Sequence, residues 1–161
     1  SQVRLAKLTY DYENLIIFRT FSKAMSLAAL RLGYIITSQV NIEMLSRLRN
    51  SKEINILAQI AAIRVLENID QIHSIVQETN HVKDYFISKV QGLVKFEVRN
   101  SSANFVLIKH SEINEIIYRL KENRILVRDR SSMFQMDDTA RVTIGPRDVM
   151  DKVFDILSEF T

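Results

Sequence analysis

Only three glycines and one proline occur among the 161 residues, so the chain has few places where its backbone can turn sharply. Gly33, Gly92 and Gly145 are therefore expected to mark joints between elements, and Pro146 directly follows the last of them. The apolar fraction of 47% and the charged fraction of 25% are typical of a folded domain and not of a disordered chain. We expect the chain to fold around a real core.

Charge and cysteine content exclude several classes of protein. The 22 basic and 19 acidic residues are interleaved and give a net charge of +3, which is little support for nucleic acid binding. No apolar run reaches the roughly 18 residues typical of a membrane span. There are no cysteines, and the three histidines (His73, His81, His110) lack ligand-like spacing, so no metal site is predicted. A cytoplasmic protein without nucleic acid or membrane partners is expected.

Two short apolar runs in the first third of the chain predict strands. Residues 14–18 and 31–37 are rich in β-branched and aromatic side chains, which is typical of strands buried on both faces of a parallel sheet. The segment between them predicts a loop with a short helical turn. Residues 40–50 then predict a helix that Asn41 caps, with a buried face that contains Ile42, Leu45 and Leu48.

A long helix is the next prediction. Apolar residues recur at steps of three and four from Leu57 to Val90, and Gly92 offers a stop. A helix of more than about 30 residues exceeds the globular average, and such a helix often bridges two units. We therefore expect residues 53–92 to connect two parts of the protein.

After Gly92 the pattern changes to short strands and helices. Strands are predicted at residues 94–99, 104–109, 125–128 and 140–144, and a helix at residues 112–123. A terminal helix begins with Pro146 in its first position. This part of the chain predicts a compact α+β layer, with helices on a small sheet.

Lys23 lies just after the first predicted strand, where open α/β sheets place their binding groups. A neutral amine there can form a Schiff base, although many loop lysines are simply solvated. Thr20 and Ser22 add hydroxyls, and Arg31 adds a guanidinium that can bind a phosphate through two parallel hydrogen bonds. Together these groups suit a phosphorylated aldehyde, and pyridoxal 5′-phosphate is the cofactor that combines both features.

Residues 19–34 closely resemble the cofactor-lysine segment of fold-type I aminotransferases, most of all the histidinol-phosphate aminotransferases. The resemblance implies that Lys23 is the catalytic Schiff-base lysine, and that Arg31, Thr20 and Ser22 bind the cofactor phosphate. Ala29 departs from the pattern, because the family usually has glycine there.

The resemblance also implies a domain organisation. The chain is expected to be α/β and to form the C-terminal part of a fold-type I transferase that depends on pyridoxal 5′-phosphate. Residues 1–52 would be the end of the large-domain sheet, residues 53–92 the long interdomain helix, and residues 93–161 the small α+β domain.

The second half of the chain supplies candidate substrate residues. Asn104 lies in a segment that resembles the substrate-side strand of the small domain, and a structural amide at the strand end is the equal alternative. The interval between Arg128 and Arg141 matches the family. The resemblance implies that Arg128 faces a substrate phosphate. Arg141 would bind the α-carboxylate or, for an amino alcohol phosphate, lie near the matching end. Without the family, surface salt bridges would be the preferred explanation of both arginines.

The activity that the resemblance implies is amino group transfer between an amino phosphate or amino acid and a 2-oxo acid, as in histidine biosynthesis, by a homodimer or larger assembly. The resemblance covers only the latter part of such an enzyme. We therefore expect a fragment that is inactive alone, because the aspartate at the ring nitrogen and the stacking aromatic would lie upstream of Ser1.

Two alternatives remain open at this point. A related decarboxylase for phosphate-bearing substrates would use the same lysine and arginine, and analysis of the products would separate the two enzymes. The other alternative is a module without catalysis that persists as a folding or assembly unit. Absence of a cofactor absorption band would favour this module.

Overall fold

The computed structural model describes residues 2–48 and 54–161. Its chain forms two compact units, residues 1–73 and 74–161. Both mix helices with antiparallel strand pairs, in agreement with the predicted α/β class and its α+β second part. The predicted domain limits at residues 52 and 92 stay a prediction.

The first unit contains one strand pair and several helices. Its elements are α1 (Gln2–Lys7), β1 (Ile17–Thr20), β2 (Gly33–Ile36), α2 (Gln39–Ser46) and α3 (Ile56–Glu67), with short 3₁₀ turns at Leu8–Tyr10 and Ala28–Leu30. The 3₁₀ turn at Ala28–Leu30 confirms the predicted helical turn between the two strands.

The two strands pair with each other in antiparallel register, with Phe18 opposite Ile35 and Thr20 opposite Gly33. The prediction of parallel strands buried on both faces was wrong for the described residues. Phe18 is 75% exposed, because its side of the pair carries no covering layer in the described part of the chain. An unbroken apolar run indicates a strand, but it does not reveal the direction of the neighbouring strand.

Helix α2 begins and packs differently from its prediction. Ser38 is the N-cap, and its side chain accepts a hydrogen bond from the Asn41 backbone N–H. The Asn41 side chain instead donates to Glu13 O and Thr37 Oγ1. Serine and asparagine cap almost equally well, so the sequence could not choose between them. Ile42 is exposed, as is Leu48 just after the helix, contrary to the predicted buried face, and Asn50 lies outside the described residues.

The predicted long helix is two helices, α3 (Ile56–Glu67) and α4 (Ile69–Gln91), which are separated at Asn68. The Asn68 side-chain amide donates to Arg64 O at 2.8 Å, and its backbone leaves the helical conformation. Asparagine competes in this way with the regular helix ladder, which explains the break. The predicted stop at Gly92 is confirmed, since α4 ends one residue earlier.

The second unit is built on a four-stranded antiparallel sheet in the order β3-β4-β6-β5. Its strands are β3 (Glu97–Arg99), β4 (Phe105–Lys109), β5 (Arg128–Asp129) and β6 (Thr139–Thr143), and its remaining helices are α5 (Ile113–Glu122) and α6 (Arg147–Ser158). The strand predicted at residues 125–128 is shorter and lies later. Pro146 is the N-cap of α6 rather than its first helical residue, while the other predicted elements are confirmed within a few residues.

One face of this sheet carries the core of the second unit. Side chains from α4, α5 and α6 pack against the buried positions of β4 and β6, and the fully buried members include Phe86, Ile108, Ile116, Leu120, Met150 and Leu157. Alternation along β4 and β6 sends the intervening side chains to the opposite face. That opposite face is therefore free to carry polar groups.

The described residues offer neither a membrane span nor a metal cluster. None of their helices is both long and apolar enough to cross a bilayer. Within the same residues, no group of three or more histidine, aspartate or glutamate side chains could hold a metal ion.

A polar cluster joins α4 to α6. The Tyr85 hydroxyl donates to Asp151 Oδ1 at 2.5 Å, and the Lys89 ammonium donates to the same oxygen at 3.1 Å. Lys89 also lies 4.1 Å from the centre of the Phe154 ring. The hydrogen bond from Tyr85, followed by the one from Lys89, lowers the pKa of Asp151.

We expect Asp151 to make the stability of the second unit dependent on acid. Because its pKa is lower in the folded state, the carboxylate contributes stability above the ordinary aspartate pKa near ~4, and this contribution is lost as the pH falls through the folded pKa. Asp151→Asn should flatten the dependence of the urea midpoint on pH below about 4. Asp155→Asn, on an exposed position of the same helix, is the control. Equal slopes in the Asp151 variant and the unsubstituted protein would contradict the assignment.

Candidate functional site

The loop between β1 and β2 is closed by a hydrogen bond at its base. The Phe21 N–H donates to Leu32 O at 3.1 Å, and the Leu27 N–H donates to Phe21 O at 2.9 Å. Gly33 is required beside this closure, because a Cβ atom there would lie 2.7 Å from Arg19 O. The close approach of the two strands thus depends on a glycine and holds both ends of the loop together.

A small apolar cluster supports the loop from below. Phe21 and Leu32 are buried together with Ala62 of α3, and Met25 and Leu27 pack around them. Helix α3 therefore uses small alanines to approach the loop, while its larger predicted core residues, such as Leu57, remain exposed. This packing fixes the loop that carries the predicted cofactor lysine.

Lys23 and Arg31 lie at opposite ends of this closed loop. Lys23 follows the closing residue Phe21 by two positions, and Arg31 immediately precedes the closing residue Leu32. Both side chains are exposed, and neither forms an ion pair with an acidic group in the described part of the chain. Arg31 has a left-handed backbone with φ of 53°, a conformation uncommon for residues other than glycine.

The two hydroxyls of the predicted set are bonded to each other. Thr20 Oγ1 lies 2.8 Å from Ser22 Oγ and accepts the Ser22 N–H at 3.0 Å. The end of β1 therefore holds both hydroxyls in one tight turn directly before Lys23. The four residues that were predicted to hold the cofactor all lie at the end of β1 or on this closed loop, and a direct contact is seen between Thr20 and Ser22.

These four residues fit pyridoxal 5′-phosphate by their chemistry. Hydroxyl groups and a guanidinium can bind a phosphate by donating hydrogen bonds, and an amine can form a Schiff base with an aldehyde. The end of β1 and the closed loop carry each of these groups. Two cationic side chains without an acidic partner among the described residues leave the loop ready for an anion. Lys23 could hold the aldehyde while Arg31, Thr20 and Ser22 hold the phosphate.

The second unit places the other two predicted arginines side by side. Arg128 of β5 is directly opposite Arg141 of β6, so both side chains emerge on the same face of the sheet. This is the face opposite the core, since Arg141 alternates with the buried Ala140 and Val142. Like charges directly opposite each other are destabilising, unless an anion lies between or beside them.

Arg141 has a buried donor with no partner. Its Nε atom is buried without a hydrogen bond in the described structure, and its guanidinium lies 5.3 Å from the centre of the Phe105 ring. Buried donors in native proteins are almost always paired, so this donor is available to an acceptor that the described residues do not supply. A carboxylate or phosphate oxygen is the acceptor that a guanidinium binds best.

Asn104 lies in the turn that leads into β4, next to the end of β6. Its backbone carbonyl accepts the Ile144 N–H at 2.9 Å, and the following residue, Phe105, pairs with Thr143. The Asn104 side chain is exposed. The Asn104 backbone is thus bonded to the end of the strand that carries Arg141. No hydrogen bond joins the side chains of Asn104 and Arg141 in the described structure.

The structure adds two residues that the sequence analysis missed. Phe105 supports the Arg141 guanidinium, and Lys83 of α4 is buried with its ammonium against the turn that contains Asn104. A signal for Lys83 was present in the helical spacing, because it precedes the buried Phe86 by three positions and Val90 by seven. A lysine on the buried face of a helix is rare, so this spacing could have identified Lys83 as a candidate functional residue.

The described residues thus form an α/β protein in which one unit carries the loop with Lys23 and Arg31, and the other carries the cross-strand pair Arg128 and Arg141. The chain belongs to the aminotransferase class I and II family, whose model matches residues 3–157.

Two curated relatives match most of this chain. A dihydroxyacetone phosphate transaminase from Campylobacter jejuni is 37% identical over 95% of this chain and 42% of the relative. A histidinol-phosphate aminotransferase from Clostridium kluyveri is 31% identical over 93% of this chain and 42% of the relative. The chain therefore spans 42% of the length of these two relatives.

Solved structures share the fold. Histidinol-phosphate aminotransferase from Clostridium acetobutylicum gives a TM-score of 0.84 at 23% identity, over 96% of this chain and 48% of that one. L-threonine-O-3-phosphate decarboxylase from Porphyromonas gingivalis gives 0.83 at 24% identity, over 96% and 49%. Histidinol-phosphate aminotransferase from Sinorhizobium meliloti, in complex with pyridoxal 5′-phosphate, gives 0.76 at 22% identity, over 94% and 43%. The predicted membership of the fold-type I aminotransferases is confirmed.

Proposed function

We propose that the protein is an aminotransferase that depends on pyridoxal 5′-phosphate and acts on a phosphate-bearing amine, in the manner of a histidinol-phosphate aminotransferase. The observation that carries this proposal is the arginine pair of β5 and β6, two cations on one sheet face with a buried donor that has no acceptor. The two relatives named above are a transaminase and an aminotransferase of phosphate compounds. A phosphate on the substrate accounts for the second arginine.

The lysine loop would hold the cofactor. When bound, pyridoxal 5′-phosphate supplies an electron sink that stabilises negative charge at the substrate carbon beside the nitrogen. Arg31 would donate two hydrogen bonds to the phosphate and Ser22 would donate its hydroxyl proton to the same group. Thr20, whose hydroxyl donates to Ser22 Oγ in the structure, would turn its proton to the phosphate. The closed base of the loop keeps these donors in place, because Phe21 and Leu32 are buried beneath it.

Lys23 would serve two roles in sequence. Its Nζ atom is the amine that would hold the cofactor aldehyde. The same amine, when it is not bound to the aldehyde, would take the proton from the substrate Cα as a general base and donate it back as a general acid. The exposure of Lys23 suits this exchange of partners, since its side chain is free to swing away from the loop.

Arg128 and Arg141 would orient the substrate. A guanidinium presents donors in a rigid fork that matches a carboxylate or a phosphate. Arg141 has the buried Nε donor and the Phe105 ring beside it, so it offers the more fixed fork, for the carboxylate or the matching end of an amino alcohol. Arg128 is exposed and would bind the substrate phosphate. The Asn104 side-chain amide would donate a hydrogen bond to the substrate or accept one from it.

We further propose a homodimer or larger assembly and a cytoplasmic location, with a 2-oxo acid as the amino acceptor. Support for self-association comes from the strand pair of the first unit. Phe18 is 75% exposed and its cross-strand neighbour Ile35 is 38% exposed, and an isolated two-stranded sheet is only marginally stable in water. These two side chains form an apolar surface that another chain could cover.

The first prediction here concerns Lys23. Borohydride reduction of the cofactor-loaded full-length protein should fix the cofactor to Lys23, which peptide mapping would locate. Lys23→Ala should abolish the label, whereas Lys7→Ala, an exposed lysine near the N-terminus, should not. Arg31→Ala should weaken cofactor binding by about 2 kcal/mol, as expected for a lost hydrogen bond to a charged group. A label on another lysine would contradict the assignment, and no label at all would favour a module without catalysis.

The second prediction separates the two arginines of the sheet. Arg128→Ala should reduce kcat/KM for a phosphorylated amine by about tenfold or more, and should leave an unphosphorylated analogue nearly unchanged. Arg141→Ala should reduce both. Arg130→Ala, next along the chain beyond β5, is the control. Equal losses for both amines in the Arg128 variant would argue for a general aminotransferase. Release of carbon dioxide without amino transfer would indicate a decarboxylase instead.

The third prediction concerns the 161-residue chain alone. It should elute as an assembly in size-exclusion chromatography, because its strand pair has unpaired edges and an exposed apolar face among the described residues. It should also show little transaminase activity, because it spans only 42% of the length of the relatives. Phe18→Ser with Ile35→Ser should shift elution towards the monomer. Tyr118→Ser, an exposed aromatic on α5, is the control. A monomer with a turnover on the order of 1 per second would contradict this prediction.

A further inference from the structure

Lys83 is a buried lysine without an acidic partner. Its side chain on α4 is 5% exposed, and its ammonium donates to Ser101 O at 2.7 Å and to Ala103 O at 3.1 Å. No carboxylate lies within ion-pair distance of it among the described residues. Burying an ammonium that has no counter-ion is unfavourable unless its hydrogen bonds are well made. A methionine would fill the same space without the cost of burying a charge. The presence of a lysine at this position therefore indicates that its hydrogen bonds serve a purpose.

The two carbonyls belong to the turn at residues 101–105, which is braced from within. The Ser101 hydroxyl donates to Phe105 O at 2.6 Å, and the Ala103 N–H donates to Ser101 Oγ at 3.2 Å. These bonds make the turn one compact piece. Lys83 is the group that ties this piece to α4, because its long side chain reaches both carbonyls from the helix.

The turn controls two groups of the substrate site. Asn104 lies within it, and the Asn104 carbonyl accepts the Ile144 N–H at the end of β6. Phe105 follows at once, and its ring lies beside the Arg141 guanidinium at 5.3 Å from the ring centre. A shift of the turn would therefore move the Asn104 side chain and the support of Arg141 together.

We propose that Lys83 is a positioning residue for the substrate site, which fixes the turn at residues 101–105 so that Asn104 and Arg141 meet the substrate together. The inference rests on the proposed function, because it assigns Lys83 to the substrate end of that site. Lys83 does not itself touch the substrate, since its ammonium faces the backbone carbonyls inside the unit. Misplacement of a binding group by about 1 Å can reduce a rate by up to about a hundredfold.

The test uses the cofactor-loaded full-length protein with a phosphorylated amine as substrate. Lys83→Met should raise KM and lower kcat/KM by about tenfold, while the dissociation constant of pyridoxal 5′-phosphate changes less than about twofold, because the cofactor groups lie in the other unit. Lys83→Arg should restore most of the activity, since a guanidinium also donates to carbonyls. Lys152→Met, on an exposed position of α6, is the control.

A double-mutant cycle separates positioning from a merely structural role. Asn104→Ala should cost little in the Lys83→Met background, because the asparagine is already displaced there, whereas it should cost the full amount in the unsubstituted protein. Additive losses from the two substitutions would overturn the inference. A KM that is unchanged in Lys83→Met would overturn it as well.

Two further measurements keep the inference testable if Lys83→Met does not fold. Ser101→Ala loosens the same turn without touching a buried charge, and it should raise KM in the same direction. Hydrogen exchange at the Ile144 amide, which donates to Asn104 O, should accelerate in each variant that loosens the turn. Unchanged exchange and unchanged KM in Ser101→Ala would overturn the inference. Absence of turnover in the unsubstituted protein would instead overturn the proposed function, and exchange at Ile144 would still report whether the turn is held.

Discussion

The alternation of side chains along β6 is the constraint on which the second unit depends. Ala140 and Val142 point into the core, and Arg141 between them must therefore point to the opposite face. Because β6 pairs with β4 on one side and β5 on the other, this face also receives Phe105 and Arg128. One buried strand thus determines both how the sheet packs and where its charged face lies, so changes to the core would be felt at the site.

In the first unit, a closed loop separates the buried side chains from the exposed charged ones. Its strands approach closely because Gly33 has no Cβ atom, and the Phe21 N–H then closes the loop on Leu32 O. An apolar base and a polar rim follow from this closure, since Phe21 and Leu32 are buried while Lys23 and Arg31 are exposed. The separation lets the loop stay fixed while its lysine keeps the freedom to change partners, as the proposed chemistry requires.

The sequence predicted correctly those features that depend on residues close to one another along the chain. The end of α4 before Gly92 and the spacing of Thr20, Ser22 and Lys23 could be recognised because each involves residues close in sequence. The break at Asn68 was missed, because a side-chain bond to Arg64 O competes with an otherwise continuous apolar pattern. The strand direction in the first unit was also missed, since an apolar run has no orientation of its own.

The sequence by itself determined the class of the protein and its candidate lysine and arginines. This was possible because the residue types and their spacing can be recognised without knowledge of the fold. Tertiary structure alone decided that Arg128 lies opposite Arg141, and that Lys83 braces the turn whose Phe105 lies beside Arg141. The physical reason is distance along the chain: Lys83 and the Ala103 carbonyl are separated by 20 residues, and their hydrogen bond exists only because α4 and the sheet pack together.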